Sequence, residues 1–328
     1  MANLHNEFQT FHERVALSQG KKESLKTSRD ALRDHIRKHF REQLKLKVPE
    51  FRSQGSFEID TTVNPLDGEF DVDDGVYLQH LDESDSSRWP TPETVHKWLV
   101  DATDGHTNEK PIDKRTCVRV RYAGEYHVDL PSYGKLNGEN LLAEKGEKGW
   151  HRSDPTALTK WFNDLAEQRG DQLRRIVCFV KAWADHQSGK RGKMPSSLML
   201  TVLAAQNFQN HERDDVCLAN TARAISDAVR LVFCVYNPVD GTEELTARLS
   251  DEEKKRFQVA IADLVNDASK AVDNGSQQEA SKLWRTQLGD RFPLIQTEDD
   301  DAKQRKDDAS RLATFYAAKK PTKPWGWS

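Results

Sequence analysis

Hydrophobic residues follow two different periods along the 328-residue chain. Between residues 23 and 47 they recur with the period of an amphipathic α-helix, and charged residues cover the rest of its surface. After about residue 150 nearly every stretch has this helical period again. The part between holds short runs in which apolar and polar residues alternate, as they do in β-strands. The pattern therefore predicts one long N-terminal helix, then a sheet region, then a helical region.

The sheet region is predicted from its alternating runs and from the turns between them. We predict strands at residues 51–54, 70–81, 117–122 and 125–130, and a short helix at residues 94–102. Ala123-Gly124 can turn the last two strands into a hairpin. Residues 134–149 are rich in glycine and lysine and have no apolar period, so we expect a surface loop there.

The helical region is divided by capping signals. Asp154-Pro155 puts a capping carboxylate before a proline at the first helical position, and Ser250 with Glu253 forms a capping box. The predicted helices lie near residues 155–170, 173–184, 198–207, 219–235, 250–268, 277–288 and 305–319. Lys190, Arg191 and Lys193 are assigned to a loop between helices. An acidic run at residues 298–301 precedes the last helix, and we expect the proline-rich end to be mobile.

Together these elements predict an α+β fold. A lobe with a mixed sheet is braced by the long N-terminal helix and joined to a C-terminal helical lobe. We assign residues 1–150 to the sheet lobe with its N-terminal helices, 151–318 to the helical domain and 319–328 to a mobile tail. The sequence contains no internal repeat that we can detect.

Two of the predicted strands carry carboxylates on one face. Asp71 and Asp73 alternate with apolar residues, so both point to the same side, about 6.7 Å apart along the strand. Asp129 has the same kind of position in a later strand, which could lie beside the first. Three crowded carboxylates are costly unless cations or water relieve them. The pattern indicates a two-metal site for phosphoryl or nucleotidyl transfer, with small residues at Gly55-Ser56 to let a triphosphate approach the backbone.

Each of these features also has an ordinary interpretation. Gly55-Ser56 alone is typical of a turn, and residues 71–74 alone are typical of a solvated acidic turn or a calcium loop. Lys181 falls at the edge of the apolar face of its helix, where a lysine can extend its ammonium group into solvent. Ser196 and Ser197 stand where serines cap helices in any case. The combination of Gly55-Ser56 with acids on two strands, whose apolar residues would bury the opposite face, favours a catalytic site. For Lys181 and the two serines, both interpretations stay open at this point.

The order Gly55-Ser56, Asp71-x-Asp73 and Asp129 resembles that of the polymerase-beta-type nucleotidyltransferase superfamily. Longer segments are similar to the bacterial cGAS/DncV-like nucleotidyltransferases, and most closely to their cyclic GMP-AMP synthase type: QGSF, FDVDDGVYL, HVDLPSY, WHRSDP, RRIVCFVKAW, MPSSLMLTVL and GDRFP. The resemblance extends from about residue 54 to residue 293. It implies a polymerase-beta-like lobe with nucleotides bound in the cleft beside the helical lobe.

The resemblance also implies a role for each matching residue. The implied catalytic residues and metal ligands are Asp71, Asp73 and Asp129, which would hold two Mg²⁺ ions, or Mn²⁺ in their place. The implied nucleotide-binding residues are Gln54, Gly55, Ser56, Lys181, Ser196 and Ser197. In this family the matching lysine holds the donor triphosphate and a serine at the head of the next helix assists it. Of the two serines we favour Ser197.

Composition narrows the class of protein further. The 49 basic and 53 acidic residues nearly balance, so nothing indicates an obligatory nucleic acid partner. The sequence has no apolar run of the roughly 20 residues needed to cross a bilayer and no N-terminal signal pattern, so we expect a cytoplasmic protein without a membrane partner. The four cysteines are widely spaced, which favours buried thiols in a reducing compartment. The histidines have no zinc-site spacing, so the expected metals prefer oxygen ligands.

We therefore expect a Mg²⁺-dependent enzyme that joins ATP and GTP into a cyclic nucleotide of two or three units. By resemblance the product would activate a separate effector in bacterial antiphage signalling, and the C-terminal Pro-Trp-Gly-Trp-Ser would be a docking or conjugation tail. Two alternatives stay open from the sequence. One is an enzyme that adds nucleotides to RNA or to a small acceptor, and the other is a catalytically silent nucleotide-binding scaffold.

Overall fold

The computed structural model describes residues 1–66, 69–122 and 126–296. Its helices are α1 (His5–Val15), α2 (Gln19–His39), α3 (Gly55–Glu58), α4 (Pro92–Thr103), α5 (Pro155–Arg169), α6 (Gln172–Arg191), α7 (Ser197–Gln206), α8 (Asp214–Leu231), α9 (Asp251–Asp273) and α10 (Gln277–Leu288). Its strands are β1 (Glu50–Gln54), β2 (Phe70–Tyr77), β3 (Ile112–Asp113), β4 (Val118–Tyr122), β5 (Tyr126–Leu130), β6 (Ser132–Leu136), β7 (Glu139–Glu144), β8 (Gly149–Arg152), β9 (Tyr236–Asn237) and β10 (Asp240–Glu244). The predicted α+β class is confirmed.

The large sheet is mixed, and β2 is its central strand. Its strands follow the order β3-β4-β5-β2-β6-β7-β8, and β1 pairs with β2 outside this path. Strand β2 runs parallel to β5 and to β6, whereas the other pairs are antiparallel. Because β2 contacts three strands, side chains from distant parts of the sequence meet around it.

The molecule has two main hydrophobic cores. In the sheet lobe, apolar residues of β2, β4 and β5 pack with one face of α2 and α4. In the helical lobe, α5 to α10 share a core with α1, whose Phe8 and Phe11 are fully buried. The chain before residue 40 therefore contributes one helix to each core. The predicted bracing helix is present, and the boundary at residue 150 stays a prediction.

Several predicted elements were wrong in extent or kind. Residues 134–149 are not a surface loop, because Asn137 and Gly138, with φ of 50° and 89°, join β6 to β7 as a hairpin. Helix α2 ends at His39 in a short π-helical turn, Phe40–Leu44, instead of continuing to residue 47. Lys190 and Arg191 belong to α6 and not to a loop.

Further boundaries differ from the predictions. Strand β2 ends at Tyr77, helix α8 spans Asp214–Leu231, and α1 has no predicted counterpart. The hairpin of β4 and β5 is confirmed, but its turn at Ala123-Gly124 lies outside the described residues. So do the acidic run at 298–301, the helix at 305–319 and the tail at 319–328. No helix of the described part of the chain is both long and apolar enough to span a membrane.

Candidate nucleotide and metal site

The predicted acidic triad is brought together by the parallel pairing of β2 with β5. In this register Asp71 is opposite His127, and Asp73 is opposite Asp129. Parallel neighbours present their side chains to the same face of the sheet at each register position. The three carboxylates therefore share one face, although 58 residues separate Asp71 from Asp129 in the chain and nothing local specifies the pairing.

An arginine that sequence reasoning missed lies among these carboxylates. Arg119 on β4 is the register partner of Asp129, and its Nε and Nη2 donate to the two oxygens of Asp129 at 2.6 and 2.8 Å. Its Nη2 also donates to Oδ1 of Asp71 at 3.3 Å. The alternation of Arg119 with Val118 and Val120 was a signal that it shares a polar face. Its guanidinium contacts the same oxygens that a cation would need.

His127 is a second residue that the sequence analysis did not assign. The ring is buried, its Nδ1 lies 3.1 Å from Oε2 of Glu69, and its Nε2 makes a close contact with Oδ1 of Asp71. Ligand atoms of Asp71, His127 and Asp129 lie within 4.8 Å of one another. Burial alone would raise the pKa of Asp71, but the hydrogen bond and charge of His127, followed by Arg119, lower it.

Asp73 has the electrostatic environment of a group that needs a positive partner. Burial, then Asp129, then Asp71, raises its pKa to about 7. A carboxylate among other carboxylates is stabilised in its charged form by a bound cation. Oxygen donors from three aspartates are the ligands that Mg²⁺ and Mn²⁺ prefer. The residues present therefore fit a divalent metal site.

Gly55 is required by its contact with Asp73. Its φ of 67° is a conformation that favours glycine, and a Cβ at this position would overlap the carboxylate of Asp73. The preceding Gln54 donates from Nε2 to the hydroxyl of Tyr133 at 3.1 Å, and its Oε1 has no partner among the described residues. The start of α3, directly after β1, thus brings the backbone next to the carboxylate of Asp73.

Lys181 extends from α6 to the same cleft. Its Nζ donates to the carbonyl of Thr61 at 3.1 Å and to the Thr61 hydroxyl at 2.9 Å. Burial lowers the pKa of Lys181 to about 8. Close by, the hydroxyls of Ser56 and Thr62 are hydrogen bonded at 3.1 Å. The segment from Gly55 to Thr62 therefore lies against α6 and helps to form one cavity with it.

The two candidate serines have different positions. Ser196 is the N-cap of α7, where its Oγ accepts from the backbone N–H of Met199 at 3.3 Å. Ser197 lines the cleft together with Ser56 and Lys181. Its placement is consistent with the choice made from the resemblance, and the role of either serine stays a prediction.

Three cavities meet at the carboxylates. The lysine chamber, about 520 Å³, is lined by Ser56, Thr61, Asp71, Lys181, Asp185 and Ser197 among others. The tryptophan chamber, about 270 Å³, shares Ser56, Asp71, Lys181 and Ser197 with it and adds an apolar wall of Leu158, Trp161 and Phe162. The arginine chamber, about 440 Å³, is lined by Asp129, Lys148, Arg152, Asp240, Glu243 and Arg248 among others.

The acids lie at the junction of these cavities. Asp71 borders the lysine and tryptophan chambers, Asp129 borders the arginine chamber, and Asp73 borders both the tryptophan and the arginine chambers. Two molecules held on opposite sides could therefore react at the carboxylates. Cavities of this size suit small-molecule ligands.

Comparison with known proteins gives two family matches. The model described as "Cyclic GMP-AMP synthase DncV-like, nucleotidyltransferase domain" matches residues 49–133, which include the three acids. The model described as "Cyclic GMP-AMP synthase, C-terminal domain" matches residues 170–298, which include Lys181. The two models follow each other along the chain in the order of its two lobes.

Individual relatives agree with these matches. A cyclic GMP-AMP synthase of Escherichia albertii is 29% identical over 241 residues, which are 71% of this chain and 54% of that protein. A cyclic GMP-AMP synthase of Escherichia coli strain TW11681 is 30% identical over 227 residues, 54% of this chain and 51% of that protein. The chain thus spans about half the length of these curated relatives.

A solved structure has the same fold. The crystal structure of Vibrio cholerae DncV cyclic AMP-GMP synthase in complex with the linear intermediate 5′ pppA(3′,5′)pG has a TM-score of 0.73 and 23% sequence identity. The match covers 90% of this chain and 100% of that chain. The likeness in fold therefore extends over both lobes.

Proposed function

Because this chain belongs to the cyclic GMP-AMP synthase DncV-like nucleotidyltransferases, we propose that it joins nucleoside triphosphates into a cyclic oligonucleotide and releases pyrophosphate at each step. One observation carries the proposal. Asp73 lies between the tryptophan chamber and the arginine chamber, and the other two acids flank it on either side. A donor nucleotide and an acceptor nucleotide can therefore face each other across the carboxylates.

The donor would occupy the side of the cleft that holds Lys181. The lysine ammonium group and the hydroxyls of Ser56 and Ser197 line the lysine and tryptophan chambers, where they can bind a triphosphate. Trp161 and Phe162 offer an apolar wall for a base. The acceptor would occupy the arginine chamber, whose Arg152, Arg248 and Lys148 are cationic. We propose ATP and GTP as the substrates, as the names and bound molecules of the relatives indicate.

We infer that Asp71 and Asp73 hold two Mg²⁺ ions and that Asp129 supplies a third carboxylate on the acceptor side. When bound, the ions would lower the pKa of the attacking ribose hydroxyl and neutralise the leaving pyrophosphate. The chain itself orients the reactants. Gly55 lets the backbone approach the phosphates, and Lys181 binds the triphosphate of the donor.

Both bonds of a ring can form at this one site. The acceptor hydroxyl oxygen attacks the α-phosphorus of the donor, the bond from that phosphorus to the β-phosphate bridging oxygen breaks, and the hydroxyl proton passes to solvent. The linear product keeps the triphosphate of the nucleotide that served as acceptor, because only the donor loses pyrophosphate. If it turns round in the cleft, that triphosphate reaches Lys181 and a second transfer closes the ring.

The test is a synthesis assay with all four nucleoside triphosphates and Mg²⁺. We expect a product that resists phosphatase, because cyclisation leaves no terminal phosphate. The double variant Asp71→Asn with Asp73→Asn should give none. The matched control is Asp101→Asn with Asp164→Asn, which removes two exposed carboxylates that pair with Lys97 and Lys160 on helix surfaces. Activity that survives the change at Asp71 and Asp73 would contradict the metal assignment.

The mass of the product separates the alternatives. A ring of two or three nucleotides supports the proposal, and nuclease P1 digestion then gives the linkage. An extended RNA chain or a modified small acceptor would indicate the other nucleotidyltransferase activity. Binding of triphosphates with no product under any condition would indicate a silent scaffold.

We further propose a role in bacterial antiphage signalling through a separate effector that binds the product. The support is the family resemblance, and the test is phage growth in cells that carry the chain with its neighbouring genes. The Asp71→Asn/Asp73→Asn variant should lose any protection that the intact chain gives. The docking or conjugation tail at Trp325 to Ser328 stays a prediction, since these residues lie outside the described part. Removing them should reduce association with the partner protein if the prediction is correct.

A further inference from the structure

The segment Gly289-Asp290-Arg291-Phe292-Pro293 follows α10 and is fixed on both sides of its arginine. Gly289 has φ of 80°, and a Cβ there would come within 2.5 Å of the ring of His186 on α6. Phe292 is fully buried, with its ring 5.0 Å from that of Phe8 and 5.6 Å from that of Phe11. Packing on both sides therefore determines where the side chain of Arg291 begins.

Arg291 connects α6 to the segment that lines the lysine chamber. Its Nη1 donates to the carbonyl of Asn64 at 2.5 Å, and its Nη2 donates to the carbonyl of Ala182 at 3.2 Å and to Oδ2 of Asp185 at 3.0 Å. The same Asp185 oxygen accepts from the backbone N–H of Leu66 at 2.9 Å. Arg291 and its partner Asp185 thus hold residues 64–66 against the turn of α6 that follows Lys181.

The segment formed by residues 61–66 also contains the partner of the predicted donor-binding lysine. Thr61, three residues before Asn64, accepts two hydrogen bonds from Nζ of Lys181. Thr61, Thr62, Val63 and Pro65 all line the lysine chamber. A shift of this segment would therefore change both the wall of the chamber and the position of the ammonium group.

The arginine occupies an environment that is costly for a charge. Its side chain is 15% exposed, and its Nε has no partner among the described residues. Burial lowers the pKa of Arg291, and the charge and hydrogen bond of Asp185 oppose this effect. A solvent-facing pair such as Arg285 with Asp290, whose carboxylate is 97% exposed, has no comparable cost.

We propose that Arg291 is a positioning residue for the donor nucleotide: it holds the 61–66 segment against α6, so that Thr61 keeps Lys181 directed into the lysine chamber. The inference rests on the proposed function and adds a residue to it that does not touch the substrate. It assigns the GDRFP segment, far from the acids in sequence, to donor binding and not to the chemical step.

The experiment measures binding and turnover separately. The Kd values of ATP and of GTP are measured by calorimetry with Ca²⁺ in place of Mg²⁺, and kcat is measured in the synthesis assay. Arg291→Gln should raise Kd on the order of tenfold with kcat at saturating substrate within about twofold of the unchanged chain. The Kd of Arg291→Lys should lie between those of the unchanged chain and Arg291→Gln. One ammonium group can keep the charge pair with Asp185 but cannot also reach Asn64. The matched control is Arg223→Gln, which changes an exposed arginine on α8 that donates to the hydroxyl of Ser269 at 2.7 Å, and it should leave Kd unchanged.

A double variant tests whether the effect passes through the lysine. If Arg291 acts by placing Lys181, then Lys181→Ala with Arg291→Gln should bind no more weakly than Lys181→Ala alone. Additive losses would overturn the inference, as would an Arg291→Gln variant that binds like the unchanged chain, or an equal effect of Arg223→Gln. Thermal unfolding identifies a variant that fails to fold, and Arg291→Lys then carries the test. If the unchanged chain bound neither ATP nor GTP, the proposed function itself would fail and this inference with it.

Discussion

Lys181 and Asp73 lie in one cleft, and the pKa of each is shifted toward neutral pH. Burial lowers that of Lys181 to about 8, and burial with neighbouring carboxylates raises that of Asp73 to about 7. In neither case does a nearby opposite charge offset the cost of burying the charged form. A triphosphate beside the lysine and cations beside the aspartate would supply both partners. Such opposed shifts are typical of functional sites.

The lysine gives a pH-dependent prediction. Below pH 8 Lys181 is protonated and can pair with phosphate, whereas above pH 8 the free protein must first take up a proton to bind in this way. The Kd of ATP, measured with Ca²⁺ between pH 7 and 9.5, should therefore rise above pH 8 with a slope approaching about one log unit per pH unit. Lys181→Arg stays charged and should show no such slope. The same slope in both proteins would show that another group titrates.

At the residue scale, sequence reasoning found the side chains that carry local patterns. Asp71, Asp73 and Asp129 alternate with apolar residues, so each could be proposed from its neighbours. Lys181 lies at the edge of a helical stripe, which left its role open, and the family resemblance was needed to propose it. Arg119 carried a local signal, its alternation with Val118 and Val120, that was missed. His127 and Arg291 could not be assigned because their contacts come from strand register or from segments far apart in the chain. Arg291 meets Asn64 across 227 positions, and no short-range pattern specifies such a contact.

At the scale of elements, the sequence predicted the strands that contain the acids and most helices of the second half. Its error at residues 134–149 has a simple cause. Asn137-Gly138 is a dipeptide that favours a two-residue hairpin, but the glycines and lysines around it conceal the strands on either side. The pairing of β2 with β5 could not be read from either strand, because parallel neighbours are joined by long connections.

One contact between elements, the ion pair of Arg33 on α2 with Asp74 on β2, attaches this strand to the N-terminal helix. Arg33 on α2 donates to both oxygens of the fully buried Asp74, next to Asp73, at 2.7 and 2.5 Å. Its Nη2 also donates to the hydroxyl of Ser53 on β1 at 3.1 Å. Helix α2 is thereby attached to the strand that carries Asp71 and Asp73 and to the strand that leads to Gly55.

Replacing Arg33 with methionine should leave a buried carboxylate unpaired, at a cost of about 3–5 kcal/mol in the free energy of unfolding. Arg37→Met is the matched control, since Arg37 lies one turn later, also contacts the ring of Phe51, and pairs with the exposed Asp34. Its loss should cost about 1 kcal/mol or less. Urea unfolding measures the free energy of unfolding of each variant. The double variant Arg33→Met with Asp74→Asn should recover part of the stability that Arg33→Met loses. Equal costs for the two arginines would mean that the buried pair does not anchor the strand.

At the scale of the whole molecule, the cleft is built by both lobes. Ser56 comes from the turn after β1, and Ser197 comes from the first turn of α7. Composition and periodicity predicted the two lobes, but not the cavities between them, because these depend on how the lobes pack. The family resemblance alone indicated that a cleft was present.

A ligand that contacts both lobes should stabilise the whole chain. With Ca²⁺ and ATP at about 100 times Kd, the gain in the free energy of unfolding is about 2.7 kcal/mol. Ser56→Ala with Ser197→Ala should show a smaller rise in Tm at the same ATP concentration. Ser196→Ala is the control: loss of its cap should lower the Tm of the free protein, yet the rise caused by ATP should remain. If Ser196→Ala lost the rise and the double variant kept it, the choice between the serines would be reversed.

The first forty residues belong to both cores, with α1 packed among the helices that follow residue 150 and α2 packed on the sheet. A single crossover near residue 150 would therefore separate α1 from the helices with which it packs, so the two halves are not independent units for recombination. If a recombinant gene took only its second half from another lineage, Phe8 and Phe11 would have to pack against helices with different side chains. Substitutions in α1 would then be needed to restore the packing of the shared core.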